Sequence, residues 1–288
     1  MKTINLQLDP RRSAADRRLA GTATLATLAT LAGLAFVCAS LVLQGLTPTR
    51  LAALAGSGIT SWGAVVQGVK VTLQVMAVVT LVSVPIALGA ALYIEEYAPD
   101  HWVTRALEAN INVLARIPPV LYGVIVLALA VRTFGIEGSL SVPVITLSFV
   151  LVPILVLEIQ YAMRAVPLAQ RQAAWALGAT RWQVVRQQVL PQAAGDIVRG
   201  IVIGMARIIG EAAPLIFVAS WALVGLNDGP TGPDEASSGV LAVRVFAWIS
   251  QDGAAATAVA GTGVAALLLL VLALRLLALP FGRHRGDR

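Results

Sequence analysis

Arg207 and Glu211 stand inside a long apolar block, four residues apart. In a helix that spacing puts both side chains on one face. An arginine in the middle of a membrane helix costs roughly 2.5–3.5 kcal/mol on insertion scales, so such a residue faces a cavity, a partner or another charge. Two readings are open. In one, the pair is a structural lock between neighbouring helices. In the other, the guanidinium serves a passing anion, because its planar fork of donors matches the oxygens of phosphate or a similar oxyanion. Passage needs binding weak enough to release, and Glu211 would temper an arginine that otherwise holds its anion too long. A carboxylate also accepts a hydrogen bond from an oxyanion that keeps a proton, as phosphate does near neutral pH and sulfate does not. Glu211 is therefore expected to favour phosphate over sulfate.

The chain that positions this pair has 288 residues, 58% hydrophobic and only 12% charged. That is too little charge to cover a soluble domain. The apolar residues fall in blocks at least as long as the about 20 residues a helix needs to cross a bilayer, and backbone in lipid must satisfy itself internally. The fold class expected is an all-α polytopic membrane protein with six transmembrane helices, at about 19–46, 65–94, 113–134, 140–159, 198–223 and 254–279. On that reading Arg207 lies roughly 15 Å into the fifth helix. The first block is too long for a signal peptide and has no small-residue cleavage site before a polar start. The expected divisions are an N-terminal tail (1–18), a first helix with its outer loop (19–61), a core of five helices (62–279) with a long loop at 160–197, and a C-terminal tail (280–288). An outer connection at about 227–253 opens with a turn-rich run and ends in an amphipathic patch, Val240–Ile249.

Loop charge sets the orientation. Lys2, Arg11, Arg12, Arg17 and Arg18, then Arg164, Arg171, Arg181, Arg186 and Arg199, then Arg283, Arg285 and Arg288 all fall on one side of six spans. The basic side is cytoplasmic, which puts both termini there. The same placement accounts for the net charge of +6, and with no basic stripe interleaved with aromatics, nucleic acid is not an expected partner.

Other chemistry finds little support. His101 and His284 are far apart, and no cluster has metal-ligand spacing. Cys38 lies in an apolar block and reads as a small core residue. The spans hold neither a histidine nor a suitably spaced acid pair, which argues against an intramembrane enzyme. A purely structural anchor would need neither Arg207 nor Glu211. The chain carries no Gly-x-x-x-x-Gly-Lys-Ser/Thr phosphate loop, so ATP is not expected to bind in that way. Lys70, Arg116 and Arg132 sit near span ends; each snorkels to the interface or joins an electropositive funnel for an anion. Glu158 reads as an interfacial charge. Pro85, Pro118, Pro119, Pro143 and Pro153 fall in or at spans, where they kink helices.

The loop at 160–197 is long but not low in complexity. It reads as short helices interrupted at Gly178 and again at Pro191. Ala173 and Ala174 permit close approach of another surface, and Trp175 and Trp182 offer anchoring area. From the residues alone it is either a docking hairpin or an amphipathic surface helix resting on lipid. Its pattern is Gln172-Ala173-Ala174, then Gly178, then Leu190-Pro191. This resembles the cytoplasmic loop of binding-protein-dependent ABC importer permeases, which docks in a cleft of the ATP-binding subunit. The family usually has Glu where this chain has Gln172, and Ile where it has Gln188.

Further stretches resemble one branch of that family, the A-type permease of the phosphate-specific ABC importer. They are Ala206-Arg-Ile-Ile-Gly-Glu-Ala-Ala-Pro-Leu215, Tyr93-Ile-Glu-Glu-Tyr-Ala-Pro99, Ile117-Pro-Pro-Val-Leu-Tyr-Gly123 and 241–251. The resemblance implies the type I importer permease fold and a multi-pass place in the bacterial cytoplasmic (inner) membrane. It implies phosphate passage at Arg207 and Glu211, and docking through Gln172, Ala173, Ala174, Gly178, Leu190 and Pro191. The partners implied are membrane lipid, a homologous second permease, two ATP-binding subunits that hold ATP and Mg, and a periplasmic or extracellular phosphate-binding protein. No cofactor is expected on this chain. Molybdate, sulfate and phosphonate are the rival cargoes.

Overall fold

The computed structural model describes residues 60–134, 141–223, 239–251 and 253–281, with scattered positions between 22 and 43. Regular structure among them is helical throughout. In chain order the helices are α1 (Thr60–Leu92, extended by a π turn at Tyr93–Tyr97), α2 (Trp102–Leu114), α3 (Pro119–Val126, then a π stretch at Leu127–Thr133) and α4 (Ser141–Arg164). They continue as α5 (Leu168–Ala176), α6 (Arg181–Val184, then a π turn at Val185–Val189), α7 (Leu190–Ile209), α8 (Ala213–Leu223), α9 (Leu241–Ile249) and α10 (Ala254–Ala278, ending in a 3₁₀ turn at Leu279–Phe281).

Among the described residues four helical runs are long and apolar enough to cross a membrane: Trp62–Tyr97, Ser141–Arg164, Arg181–Ile209 and Ala256–Phe281. A bent pair, Trp102–Leu114 with Pro119–Leu129, would make a fifth. The expected second, fourth and sixth spans correspond to α1, α4 and α10. The expected first span and the N-terminal tail lie largely outside the described residues, as do Cys38, His284 and the turn-rich first part of the outer connection; the positions described between 22 and 43 are helical.

Two expected spans are corrected. The third does not begin at Val113. Val113 and Leu114 close α2, and the chain turns through 99° before α3. Pro118 and Pro119 enforce the turn, since the residue before a proline is pushed out of the helical region; Pro118 itself sits at φ −54°, ψ 128°. The fifth is not one helix. It stops at Ile209 and restarts at Ala213. Pro214 has no N–H for the Gly210 carbonyl four residues back, and its ring clashes there. Gly210 adds little helix propensity to resist the break.

The expected interruption at Pro191 is absent. Arg181–Ile209 runs on as one helix, with Pro191 in the first turn of α7 directly after the π turn. A wider turn displaces the carbonyl that the proline ring would meet, so the ring is tolerated.

The core is centred on α4. Leu147, Leu151, Leu155, Ile159 and Met163 recur every four residues and are essentially fully buried against α1 and α7. In lipid the hydrophobic effect does not favour helix on helix over helix on lipid, so close packing of small residues does the selecting. Gly200 and Gly204 supply that on α7. A Cβ on Gly204 would lie 3.1 Å from Leu155 Cδ2 and 3.2 Å from Leu151 Cδ1. Two hydroxyls inside α1 bond to its own backbone: Thr72 and Thr80 donate to the Gly68 and Met76 carbonyls, each at 2.7 Å, while the buried Ser83 hydroxyl has no partner among the described residues. Helix α9 is the expected amphipathic patch, and it packs on α1 and α10 with Leu241, Ala242, Val243 and Val245 buried. The Leu241 N–H donates to Thr72 Oγ1 at 2.9 Å, which fixes where α9 lands.

Candidate functional site

Arg207 occupies the last turn of α7, and Glu211 lies in the three-residue break before α8. They therefore do not share one continuous helix face, as their spacing had suggested. The break itself is a short chain of backbone bonds: Glu211 N–H donates to the Ile208 carbonyl at 3.1 Å and Ala212 N–H to the Gly210 carbonyl at 3.0 Å. Arg207 is exposed on the single chain and Glu211 is half-buried. No close ion pair joins them among the described residues.

Each charge sits where a helix end accommodates it. The carbonyl end of a helix carries partial negative charge and the amide end partial positive charge. Arg207 lies at the carbonyl end of α7. The break then presents the amide end of α8, beside Glu211. Broken helices form anion sites in membrane transporters, but here the Glu211, Ala212 and Leu215 N–H groups already donate to carbonyls and Pro214 has none, so Arg207 is the main donor at this break.

The break is held from one further direction. Helix α8 packs on α3, where Gly123 passes so close to Pro214 that a Cβ would lie 2.9 Å from the Pro214 Cα and would overlap its carbonyl oxygen. Helix α3 in turn is pinned to the end of α2 by Tyr122, whose hydroxyl donates to the Leu114 carbonyl at 2.8 Å. The two helix breaks, at 115–118 and 210–212, are thus braced against each other through α3 and α8.

Toward the basic end of α7, Asp196, Arg199 and Ile203 follow the same helical stripe as Arg207. With Glu158, Tyr161 and Gly200 they line a cavity of about 520 Å³ between α4 and α7. At 1.5 Å per residue Arg199 is roughly 12 Å from Arg207 along the helix. Glu158 therefore lines a cavity on the face that carries Arg207, a position its place near a span end did not reveal.

Two of the three expected funnel residues have described side chains. Lys70 is exposed near the start of α1, while Arg116 is exposed in the bend after α2, beyond the other end of α1. Arg132 falls in the π stretch after α3, and its side chain lies outside the described residues.

The loop between α4 and α7 is a helical hairpin, as its pattern suggested. Gly178 ends the first arm at φ +81°, a left-handed conformation that glycine adopts without strain. Thr180 opens the second arm with a reciprocal capping box to Gln183. Gln172 and Ala173 are exposed, Ala174 is half-buried against the core, Leu190 is half-buried and Pro191 exposed at the start of α7. Between the arms the tip is apolar and open: Leu177 is 89% exposed, with Trp175 and Trp182 beside it. An apolar tip of that kind, rimmed by arginines, has the make-up of an interface centre.

Residues that the sequence reading passed over fasten this hairpin. Arg171 Nη1 meets Glu96 Oε1 at 2.5 Å, and its Nη2 donates to the Met163 carbonyl at 2.8 Å. Arg181 Nη1 donates to the Glu96 carbonyl at 3.2 Å. Arg164 bridges Glu95 at 2.6 Å and Glu108 at 3.0 Å. The signal was present: Glu95 and Glu96 are adjacent acids on the side of the chain where the loop charges are otherwise mostly basic.

A family model described as "Binding-protein-dependent transport system inner membrane component" matches residues 83–279. Among curated proteins the chain is 32% identical over 180 residues to a probable phosphate transport system permease protein PstA of Methanocaldococcus jannaschii, covering 62% of each chain. It is 31% identical over 158 residues to the probable ABC transporter permease protein YqgI of Bacillus subtilis, covering 53% of this chain and 52% of that one. The match thus spans half to three-fifths of the length of these relatives. Among solved structures, a chain of a bacterial alginate ABC transporter superposes with a TM-score of 0.64 at 16% identity, over 96% of this chain and 97% of that one. A chain of the MetNI methionine ABC transporter gives 0.62 at 20% identity, over 78% of this chain and 100% of that one. At those identities the likeness is one of fold.

Proposed function

The chain belongs to the family of binding-protein-dependent transport system inner membrane components, and on that footing we propose that it is the membrane-spanning permease subunit of an ATP-driven importer of inorganic phosphate. It is a multi-pass protein of the cytoplasmic membrane. The observation that carries the cargo reading is the break between α7 and α8: Arg207 stands exposed at the end of one helix, and the half-buried Glu211 lies in the break just beyond it. Relatives titled phosphate transport system permease proteins support the same cargo.

In this reading the basic end of the bundle faces the cytoplasm. The exposed stripe of α7 meets a homologous second permease, and the path for phosphate runs between the two past Arg207. Glu211, free of an ion pair, receives the proton-bearing oxygen of the anion. Two ATP-binding subunits hold ATP and Mg²⁺ and receive the α5–α6 hairpin through Trp175, Leu177 and Trp182. A soluble phosphate-binding protein delivers cargo on the opposite side. Gln172 contributes no charge to the docking contact, so apolar area at the hairpin tip supplies most of it.

Phosphate uptake in a strain lacking this gene, restored by the wild-type chain, tests the reading. Excess molybdate, sulfate or phosphonate should leave that uptake intact. Uptake that one of these abolishes, while unlabelled phosphate does not, would assign the transporter to the competitor.

A further inference from the structure

The hairpin is joined covalently to α4 through the turn at 165–167, and to α7 by an unbroken helix. Nothing covalent joins it to α1. Yet its one deeply set charge, Arg171, reaches across to Glu96 in the π turn that ends α1, seventy-five positions earlier in the chain. The two side chains are 13% and 5% exposed. Helix α5 otherwise buries no residue completely, so this pair is its principal fixed point off its own covalent path.

Glu96 serves both arms of the hairpin. Its carboxylate takes Arg171 of the first arm, and its main-chain carbonyl takes Arg181 of the second. Arg171 also donates to the Met163 carbonyl near the end of α4, an acceptor it shares with the Val166 N–H. Three elements thus converge on two side chains. A buried ion pair is a poor way to add stability, because desolvation offsets the attraction, and it is better suited to fixing one arrangement among several.

We propose that Arg171 and Glu96 are positioning residues that make the docking hairpin and the end of α1 one moving body. A displacement of the hairpin then reaches α1 as well as α4 and α7, and the three helices packed around the core reorient together. This rests on the transport reading above. It adds that Glu96 carries a direct part of the coupling between the hairpin and α1, beside the route through α4.

The test uses the whole complex, purified and reconstituted in vesicles, with Cys38 replaced and spin labels at Ala176 and Tyr93. In the wild type the label separation should stay constant between the nucleotide-free and the ATP-vanadate-trapped states. In Glu96→Ala it should change, and cargo uptake per ATP hydrolysed should fall by about five- to a hundredfold, the range of common coupling energies. The exchange Glu96→Arg with Arg171→Glu should restore both. A Glu96→Ala complex with the wild-type ratio and a constant separation overturns the proposal. So does a loss that the exchange does not restore. Failure of both the single variants and the exchange to assemble with the ATP-binding subunits overturns it as well, because the pair then serves folding and not coupling. The label separation does not depend on the cargo, so a wild type that carries no phosphate counts against the cargo reading alone.

Discussion

Gly123 of α3 touches the backbone of Pro214 in α8, and no side chain fits between them: a Cβ would overlap the Pro214 carbonyl oxygen. This contact sets the distance between the two short helices that follow the chain breaks, and so the shape of the segment that carries Glu211.

Gly123→Ala is expected to push α8 away from α3. The obstacle is main chain and not a side chain that can turn aside, so the cost should sit in the range of about 1–3 kcal/mol seen for overpacked interiors. Thermal unfolding in detergent would register a lower midpoint. Uptake should fall more than stability, because the break bearing Glu211 moves with Pro214. An unchanged midpoint would mean that the two helices are not packed this closely.

Gly204 gives a graded comparison. The side chains it faces, Leu151 and Leu155, must yield a few tenths of an ångström, so Gly204→Ala should cost about 1 kcal/mol, the low end of the overpacking range. Gly204→Leu cannot be accommodated without separating α7 from α4, and should lower stability by about 1–3 kcal/mol. Equal midpoints for the two variants in the same unfolding assay would argue against this close approach.

At Gly178 space is not the issue, since nothing lies within 4 Å of an added Cβ. The backbone is. A β-branched residue at φ +81° should cost about 1–2 kcal/mol, asparagine much less. Gly178→Val should therefore loosen the hairpin tip and weaken binding of the ATP-binding subunits in a pull-down, while Gly178→Asn keeps it. Equal loss in both variants would move the cause from backbone conformation to side-chain contact.

Arg207→Gln removes the charge at the end of α7. Hydrogen bonds to charged groups contribute about 1.5–3 kcal/mol, so phosphate uptake should drop roughly ten- to a hundredfold. Glu211→Gln should retain more uptake but lose preference for phosphate over sulfate. Sulfate competition that is identical in Glu211→Gln and wild type would remove Glu211 from cargo selection.

The sequence carried much of this. Block lengths and the scarcity of charge are enough to require membrane helices, because backbone in lipid has no other way to pair its polar groups. The glycine-broken hairpin was legible for a local reason: Gly178, with Thr180 and Gln183 after it, specifies a helix end and a capped restart within six residues. The break at 210–212 was harder. Gly210 and Pro214 are local signals, but the surrounding apolar run reads as one span, and hydropathy does not register a missing N–H. Pro191 failed in the opposite direction, since a π turn just before it absorbs the ring.

By itself, then, the sequence determined the class of molecule, three of the membrane-crossing helices and the two charges set among apolar residues, all of which follow from composition and near-neighbour chemistry. What the tertiary structure decided is which distant groups meet. Arg207 and Glu211, four residues apart, turn out not to pair, because a proline after them ends the helix that would have aligned them. Arg171 and Glu96, separated by seventy-five positions, do pair, because the first turn of α5 lies against the π turn that ends α1. No local pattern encodes that meeting; it depends on how α1 and α4 pack and on the space that the hairpin leaves beneath them.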